Sequence, residues 1–155
     1  HMENRPLFHL LLETMQELCQ TTNSDLLMRY FEMHLLNEVG YRPQLHQCVI
    51  CHQALQPVIN SFSASAGGIL CPKCRFCEPF AYPLSVNAQK VLRLLQDSDW
   101  TIVSRLKLTP ELSFELESVM RHYLRYLLER ELKSVAWLDT LRKQMEPITP
   151  PQEVA

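Results

Sequence analysis

The chain has 155 residues, 46% of them hydrophobic and 21% charged, a balance typical of one folded domain and unlike a disordered segment. Only three glycines occur, Gly40, Gly67 and Gly68, so the glycine-rich phosphate loops of Rossmann and P-loop proteins are excluded. The formal net charge of -2 argues against a strongly basic, freestanding nucleic-acid-binding module.

The two ends of the chain carry their own signals. Residues 1–2 (His-Met) resemble the remnant of a cleaved affinity tag, and no secretory leader follows them. No apolar run approaches the roughly 18 residues of a membrane span, so we expect no membrane contact. Three closely spaced prolines predict a flexible tail over 145–155, which leaves 3–144 as a single helical domain.

Two proline-free stretches, 7–42 and 111–146, flank a proline-rich middle and have helical periodicity. The first predicted helix begins near Pro6 and ends near Cys19. Its apolar residues form one stripe that we expect to be buried: Phe8, Leu11, Leu12, Met15, Leu18 and Cys19.

A second helix is predicted from Asn23 or Ser24, either of which can cap it, to Gly40. It is apolar almost all round, which places it at the centre of a bundle.

Two further helices are predicted after the middle region. Ser85 can cap a short helix that stops near Asp97. The sequence Thr-Pro-Glu at 109–111 is a strong helix start, and the long helix that follows reaches Lys143, with a candidate break near Ser134.

Four of the six cysteines form two C-x2-C pairs separated by nineteen residues: Cys48 and Cys51, then Cys71 and Cys74. Each such turn directs two thiolates at one point, so two turns complete the tetrahedron of a structural zinc site. We therefore predict one Zn2+ ion on these four cysteines. Four thiolates leave no open coordination position for catalysis.

The residues between the pairs predict a small ribbon. The stretch 58–62 has the pattern of a strand, 69–70 that of a returning strand, and 65–68 contains the two glycines of a tight turn. The predicted zinc module covers 46–78. The fold class that follows is an all-α helical bundle with an inserted small four-cysteine zinc-ribbon hairpin.

Other uses of these cysteines are open at this point. Two disulfides would require an oxidising compartment, and a redox C-x2-C pair would require a thioredoxin-like βαβ unit. Cys71, Cys74 and Cys77 also open an iron–sulfur motif, although Ala81 stands where its fourth cysteine belongs, and Cys77 can replace Cys74 at the zinc. Two histidines are adjacent alternative ligands: His46 and His52.

With these residues placed, the chain resembles the C-terminal part of the RecO family of bacterial DNA-repair and recombination mediators. The likeness runs from Arg5 to Leu141. It includes 27–41 (LMRYFEMHLLNEVGY), 62–74 with its Gly-Gly-Ile-Leu-Cys core, and 123–133 (YLRYLLERELK).

The resemblance implies more than the residues do. Members of this family carry an N-terminal OB-fold, which we expect to be absent from this chain, and then a helical domain interrupted by the zinc module. They bind DNA, anneal complementary strands and help RecA load by contacting RecR and the C-terminal tail of single-stranded-DNA-binding protein. They are cytoplasmic and associated with the nucleoid.

Candidate DNA-binding residues lie in two places. Lys73 and Arg75 bracket a cysteine of the second pair. The stretch 118–145 has six basic and three acidic residues, a local balance of +3, and its candidates are Arg121, Arg125, Arg130 and Lys133. The alternative is a solvated helix face, since Arg125, Glu129 and Lys133 have the i, i+4 spacing of helix-stabilising ion pairs.

No enzyme motif appears in the sequence, whether a zinc-protease helix, a nucleophile elbow or a carboxylate pair. We expect a non-catalytic mediator fragment. The alternative is a zinc-stabilised protein-interaction scaffold without a nucleic-acid role.

Overall fold

A computed structural model describes residues 5–18 and 23–145, and within them the chain forms five α-helices and a three-stranded antiparallel sheet. The helices are α1 (Arg5–Leu18), α2 (Ser24–Glu38), α3 (Val86–Asp97), α4 (Trp100–Val103) and α5 (Pro110–Met145). The strands are β1 (Asn60–Ser63), β2 (Gly68–Leu70) and β3 (Tyr82–Leu84), and a short 3-10 helix covers Arg75–Cys77.

Helix α1 is turned differently from the prediction. The stripe predicted to be buried is exposed, so the prediction is wrong for these residues: Phe8, Leu11, Leu12, Met15 and Leu18. Helix α1 has apolar residues on two sides. The side that packs on α2 is the one opposite the predicted stripe, where Leu7 and Leu10 are half-buried and Thr14 is buried. The Thr14 hydroxyl donates to the Leu10 carbonyl at 2.7 Å, which makes its burial tolerable. Cys19 lies outside the described residues.

Helix α2 occupies the centre of the fold, as its sequence predicts. It contacts α1, α3, α4 and α5, and its buried residues are Leu26, Leu27, Met33 and Leu36. The helix ends where Gly40 adopts a φ of +87°, a conformation that glycine reaches without strain. The backbone N–H of Tyr41 then donates to the Leu36 carbonyl at 2.8 Å and closes the last turn.

The sheet corrects the expectation of an all-α bundle. Its strand order is β2-β1-β3, and Phe62 in β1 lies opposite Ile69 on one side and Tyr82 on the other. The β1–β2 hairpin matches the predicted ribbon, whereas β3 is unforeseen. Phe62 and Ile69 belong to the same buried cluster as helix residues such as Leu92 and Leu116. The ribbon is therefore a layer of the helical core, and the protein is mostly helical with a small sheet.

Helices α3 and α5 begin at the predicted caps, whereas the short helix α4, capped by Asp99, was not predicted. The Ser85 hydroxyl accepts a hydrogen bond from the Ala88 N–H at 3.1 Å, and the Thr109 hydroxyl accepts one from the Leu112 N–H at 3.2 Å. Helix α5 passes Ser134 without a break, and its 36 residues span about 54 Å. Residues 146–155 of the predicted tail lie outside the described part.

None of the helices in the described ranges is both long enough and apolar enough to cross a lipid bilayer.

Candidate metal centre

The structure brings the four predicted cysteine ligands to one place. Their Sγ atoms all lie within 4.8 Å of one another: Cys48, Cys51, Cys71 and Cys74. The Sγ atoms of Cys51 and Cys71 are 3.8 Å apart. Tetrahedral zinc with Zn–S bonds of about 2.3 Å sets its sulfurs about 3.8 Å apart, so this spacing fits a metal ion of that kind.

Each cysteine pair sits on a tight turn closed by backbone hydrogen bonds. In the first, the His52 N–H donates to the Cys48 carbonyl at 2.9 Å, and His52 itself has a φ of +62°. In the second, the Cys74 N–H donates to the Cys71 carbonyl at 3.0 Å. The Cys77 N–H continues this pattern to the Cys74 carbonyl and starts the 3-10 helix. These turns direct the paired thiols to the same side.

Strand β2, which leads into the second cysteine turn, is hydrogen-bonded to the first one. The Val49 N–H donates to the Ile69 carbonyl, and the Ile69 N–H donates to the Gln44 carbonyl, each at 3.0 Å. The segments approach so closely at Gly68 that an added Cβ would lie 2.4 Å from the Gln44 oxygen. A glycine is therefore required at this position by the approach of the backbones.

The cysteine thiols of the cluster differ in pKa. Burial raises the pKa of Cys48, but hydrogen bonds from the backbone N–H groups of Cys51, Cys71 and Ile50 outweigh it and lower that pKa to about 6. The pKa of Cys74 is raised to about 12, first by its hydrogen bond with the Cys71 side chain and then by burial. Crowded thiols resist carrying several negative charges at once, and a divalent cation among them removes that penalty.

The alternative uses of these residues have less support. All five cysteines in the described part are free thiols, and Cys77 is exposed and outside the cluster. His46 lies instead with its Nε2 atom 2.9 Å from Asp97 Oδ2, and His52 is exposed. Neither the iron–sulfur pattern nor a histidine ligand matches this geometry.

Comparison with known proteins agrees with the motifs. Residues 2–136 match the family model described as recombination protein O, C terminal. The chain belongs to the RecO family. This confirms the resemblance that the helical and cysteine motifs indicate.

Several curated relatives carry the name DNA repair protein RecO. One from Dehalococcoides mccartyi is 46% identical over 140 residues, which is 90% of this chain and 55% of the relative. One from Roseiflexus is 40% identical over 148 residues, 96% of this chain and 52% of the relative. One from Halalkalibacterium halodurans is 33% identical over 138 residues, which is 89% of this chain and 54% of the relative. The chain thus spans about half the length of the RecO relatives that it matches.

Helix α3 holds the segment that leads into the first cysteine turn of this RecO-family chain. Three of its polar side chains bond neighbouring segments: Arg93 and Gln96 bond the segment before Cys48, and Gln89 bonds the sheet. Arg93 donates to the Leu45 carbonyl at 2.9 Å, and Gln96 donates to the Pro43 carbonyl at 2.8 Å. Sequence reasoning missed these residues because polar positions on an amphipathic helix are normally solvated.

The outer side of the second cysteine turn is basic and aromatic. Lys73 and Arg75 are both exposed, as a nucleic-acid contact requires. The Arg75 guanidinium lies 4.5 Å from the centre of the Phe76 ring. Phe76 and Phe80 are 81% and 86% exposed. No periodicity marks this aromatic pair, and sequence reasoning missed it.

The basic residues of α5 do not form one strip. Arg121 forms an ion pair with Glu117. Both Arg121 and Arg125 line a groove between α5 and α2. Arg130 lies nine residues after Arg121, half a helical circumference away, with its guanidinium 5.1 Å from the Tyr41 ring centre.

Lys133 lies on the exposed end of α5. Within the described residues, neither Arg125 nor Lys133 forms an ion pair, so the i, i+4 chain of ion pairs is not made. Both side chains are exposed, which agrees with a solvated helix face as well as with a DNA contact. A role of these four basic residues in DNA binding stays a prediction.

Proposed function

We propose that this chain acts as the C-terminal part of a DNA repair and recombination mediator and has no catalytic activity of its own. Its membership of the RecO family over residues 2–136 is the observation that carries the proposal. DNA binding, strand annealing and RecA loading belong to the whole protein, with RecR and the tail of single-stranded-DNA-binding protein as its protein partners. The protein works in the cytoplasm at the nucleoid.

The proposed metal is one structural Zn2+ ion on the four-cysteine cluster. When bound, zinc supplies a cross-link between the two cysteine turns, and such sites contribute on the order of 10 kcal/mol to folding. The spacing of the sulfurs and the all-thiol donor set support zinc over harder cations. Cys48 is fully buried, so the ion lies against the core and holds the ribbon in one orientation.

The proposed contribution of this chain to DNA binding is the outer side of the second cysteine turn. Lys73 and Arg75 supply positive charge to phosphates, and Phe76 and Phe80 supply faces on which bases can stack. An exposed ring can stack a base while a cation beside it binds the backbone, and this surface provides both groups. The net charge of -2 keeps the contact weak in isolation.

Salt-dependent DNA affinity tests this proposal. The anisotropy of a labelled single-stranded oligonucleotide is measured at several salt concentrations, with this chain and with the longer protein that contains it. We expect weak binding by the chain and a steep salt slope for the longer protein. Changing both Lys73 and Arg75 to Glu in the longer protein lowers that slope by about two, whereas Lys107→Glu, an exposed charge change elsewhere, leaves it nearly unchanged. A longer protein without a salt slope contradicts the proposal.

A zinc-stabilised protein-interaction scaffold is the second candidate. The exposed apolar stripe of α1, five large side chains from Phe8 to Leu18, favours it because such stripes normally meet another protein surface. The measurement of DNA affinity at several salt concentrations distinguishes the two candidate functions, because a scaffold without a nucleic-acid role gives no salt-dependent DNA binding in the longer protein.

A further inference from the structure

Helix α5 continues well beyond the body of the protein. Its buried residues end at Leu127, and from there to Met145 every residue is exposed except the half-buried Leu141. We call 128–145 the arm; it spans about 27 Å. Six large apolar side chains of the arm are more than half exposed: Leu128, Leu132, Val135, Trp137, Leu138 and Met145. Monomeric proteins rarely leave so much adjoining apolar surface uncovered, which indicates a contact surface.

Six residues of the arm follow the alternating spacing of three and four that marks the interface of a coiled coil. We call these six the contact line: Leu128, Glu131, Val135, Leu138, Arg142 and Met145. Four are apolar. The other two, Glu131 and Arg142, have opposite charges and lie equally far from the two ends of the line.

We propose that two copies of this chain pair through their arms in antiparallel orientation. A two-fold axis passing between Ala136 and Trp137 sets each residue of the contact line opposite a complementary one. The resulting pairs are Leu128 with Met145, Glu131 with Arg142, and Val135 with Leu138. Because the axis is two-fold, every pair occurs twice and the interface is closed.

Charge selects the antiparallel orientation. In a parallel pair, Glu131 would face Glu131 and Arg142 would face Arg142, and like charges opposed at an interface are destabilising. In the single chain, Glu131 accepts a hydrogen bond from the Tyr41 hydroxyl through one carboxylate oxygen, which leaves the other for a second donor. Among the described residues, Arg142 forms no ion pair, so its guanidinium is available.

In this arrangement the bodies of the two copies lie at opposite ends of the paired arms, because the buried part of α5 ends at Leu127 and the partner's Met145 lies beside Leu128. On the contact line the body reaches as far as Glu131, which contacts Tyr41. The arm is already helical, since the first half of α5 is packed in the core from Leu116 to Leu127, and pairing does not require a helix to form. Five helical turns make an interface smaller than that of a stable dimer, so the association is weak and reversible.

Sedimentation equilibrium tests the pairing from about 1 µM to about 1 mM, the range in which small interfaces associate. We expect the average mass to rise from 18.1 kDa towards twice that value. Leu138→Glu is expected to raise the dissociation constant at least about tenfold. Trp137→Ala is the matched control, because Trp137 is equally exposed on the arm but off the contact line. Helix content by circular dichroism shows that both variants fold.

A charge exchange tests the orientation. Glu131→Arg and Arg142→Glu are each expected to weaken the dimer, and the two together to restore it, because only the antiparallel register pairs these positions with each other. A mass that stays at 18.1 kDa, or a double variant no better than the single ones, overturns the proposal. So does a dimer that survives Leu138→Glu and is lost with Leu11→Glu in α1. These readouts involve neither DNA nor zinc, so the outcome is independent of the proposed function.

Discussion

The side chains of Asn60 in β1 and Gln89 in α3 form a buried hydrogen bond, with Asn60 Nδ2 donating to Gln89 Oε1 at 2.7 Å. Gln89 Nε2 in turn donates to the backbone carbonyls of Val58 at 2.9 Å and Leu84 at 3.0 Å. One buried glutamine thus joins two segments of the ribbon to the helical layer. The ribbon is held by polar contacts as well as by its apolar face.

Replacing Gln89 by Leu is expected to lower the free energy of unfolding by about 1–3 kcal/mol, because the Val58 and Leu84 carbonyls lose a buried donor. Thermal or denaturant unfolding of the zinc-loaded protein measures it. Lys90→Leu, an exposed position in the same helix, is the control and should change stability by less than about 0.5 kcal/mol. Equal stability of the two variants would show that the buried amide contributes nothing.

Local signals in the sequence predict much of this fold. The caps at Ser85 and Thr109, the end of α2 at Gly40 and the spacing of the cysteine pairs depend on residues close together in the chain. Such features need no knowledge of distant partners, and all of them are found in the structure.

Features that depend on distant segments are not predictable in this way. The orientation of α1 is decided by which of its two apolar sides meets α2, and the sequence of α1 does not distinguish them. Strand β3 is three residues long and contains Pro83, which hides its pattern, yet proline is tolerated because β3 is an edge strand. Gln89 resembles any polar helix residue until the ribbon covers it.

Metal analysis is expected to find one zinc ion per chain, and Cys48→Ser to abolish it. Cys48 is buried and contributes one of four clustered sulfurs. Without it the metal loses its ligand from the buried side of the cluster and no longer cross-links the two cysteine turns. Elemental analysis of the purified protein measures the zinc, and thermal unfolding should show a lower Tm for this variant. Cys77→Ser is the control: Cys77 lies outside the cluster and should leave both zinc content and Tm near the original values. Zinc lost with Cys77→Ser would place this thiol in the site.

Gly68→Ala is expected to loosen the metal centre without touching a ligand. Its added Cβ would lie 2.4 Å from the Gln44 oxygen and 2.8 Å from a methyl carbon of Val49, so β2 and the first cysteine turn must separate. The rate of zinc removal by a chelator should rise. Gly40→Ala is the matched control, because its Cβ meets nothing within 4 Å and costs only the strain of a positive φ, about 1 kcal/mol. Equal chelation rates for the two variants would contradict this role of Gly68.

Stability is expected to fall as the pH is lowered through the titration of His34. Burial lowers the pKa of His34 below its ordinary value of 6.5, and its ring packs 4.1 Å from the Tyr30 ring. The unfolded chain therefore takes up a proton at a higher pH than the folded one. The free energy of unfolding decreases from about pH 6.5 downwards, by at most about 1.4 kcal/mol per pH unit, until the folded state is also protonated. The measurement is denaturant unfolding at a series of pH values for the original chain and for His34→Gln. Because loss of metal at low pH affects both proteins alike, the difference between the two curves isolates His34. A difference that does not change with pH would show that His34 titrates equally in both states.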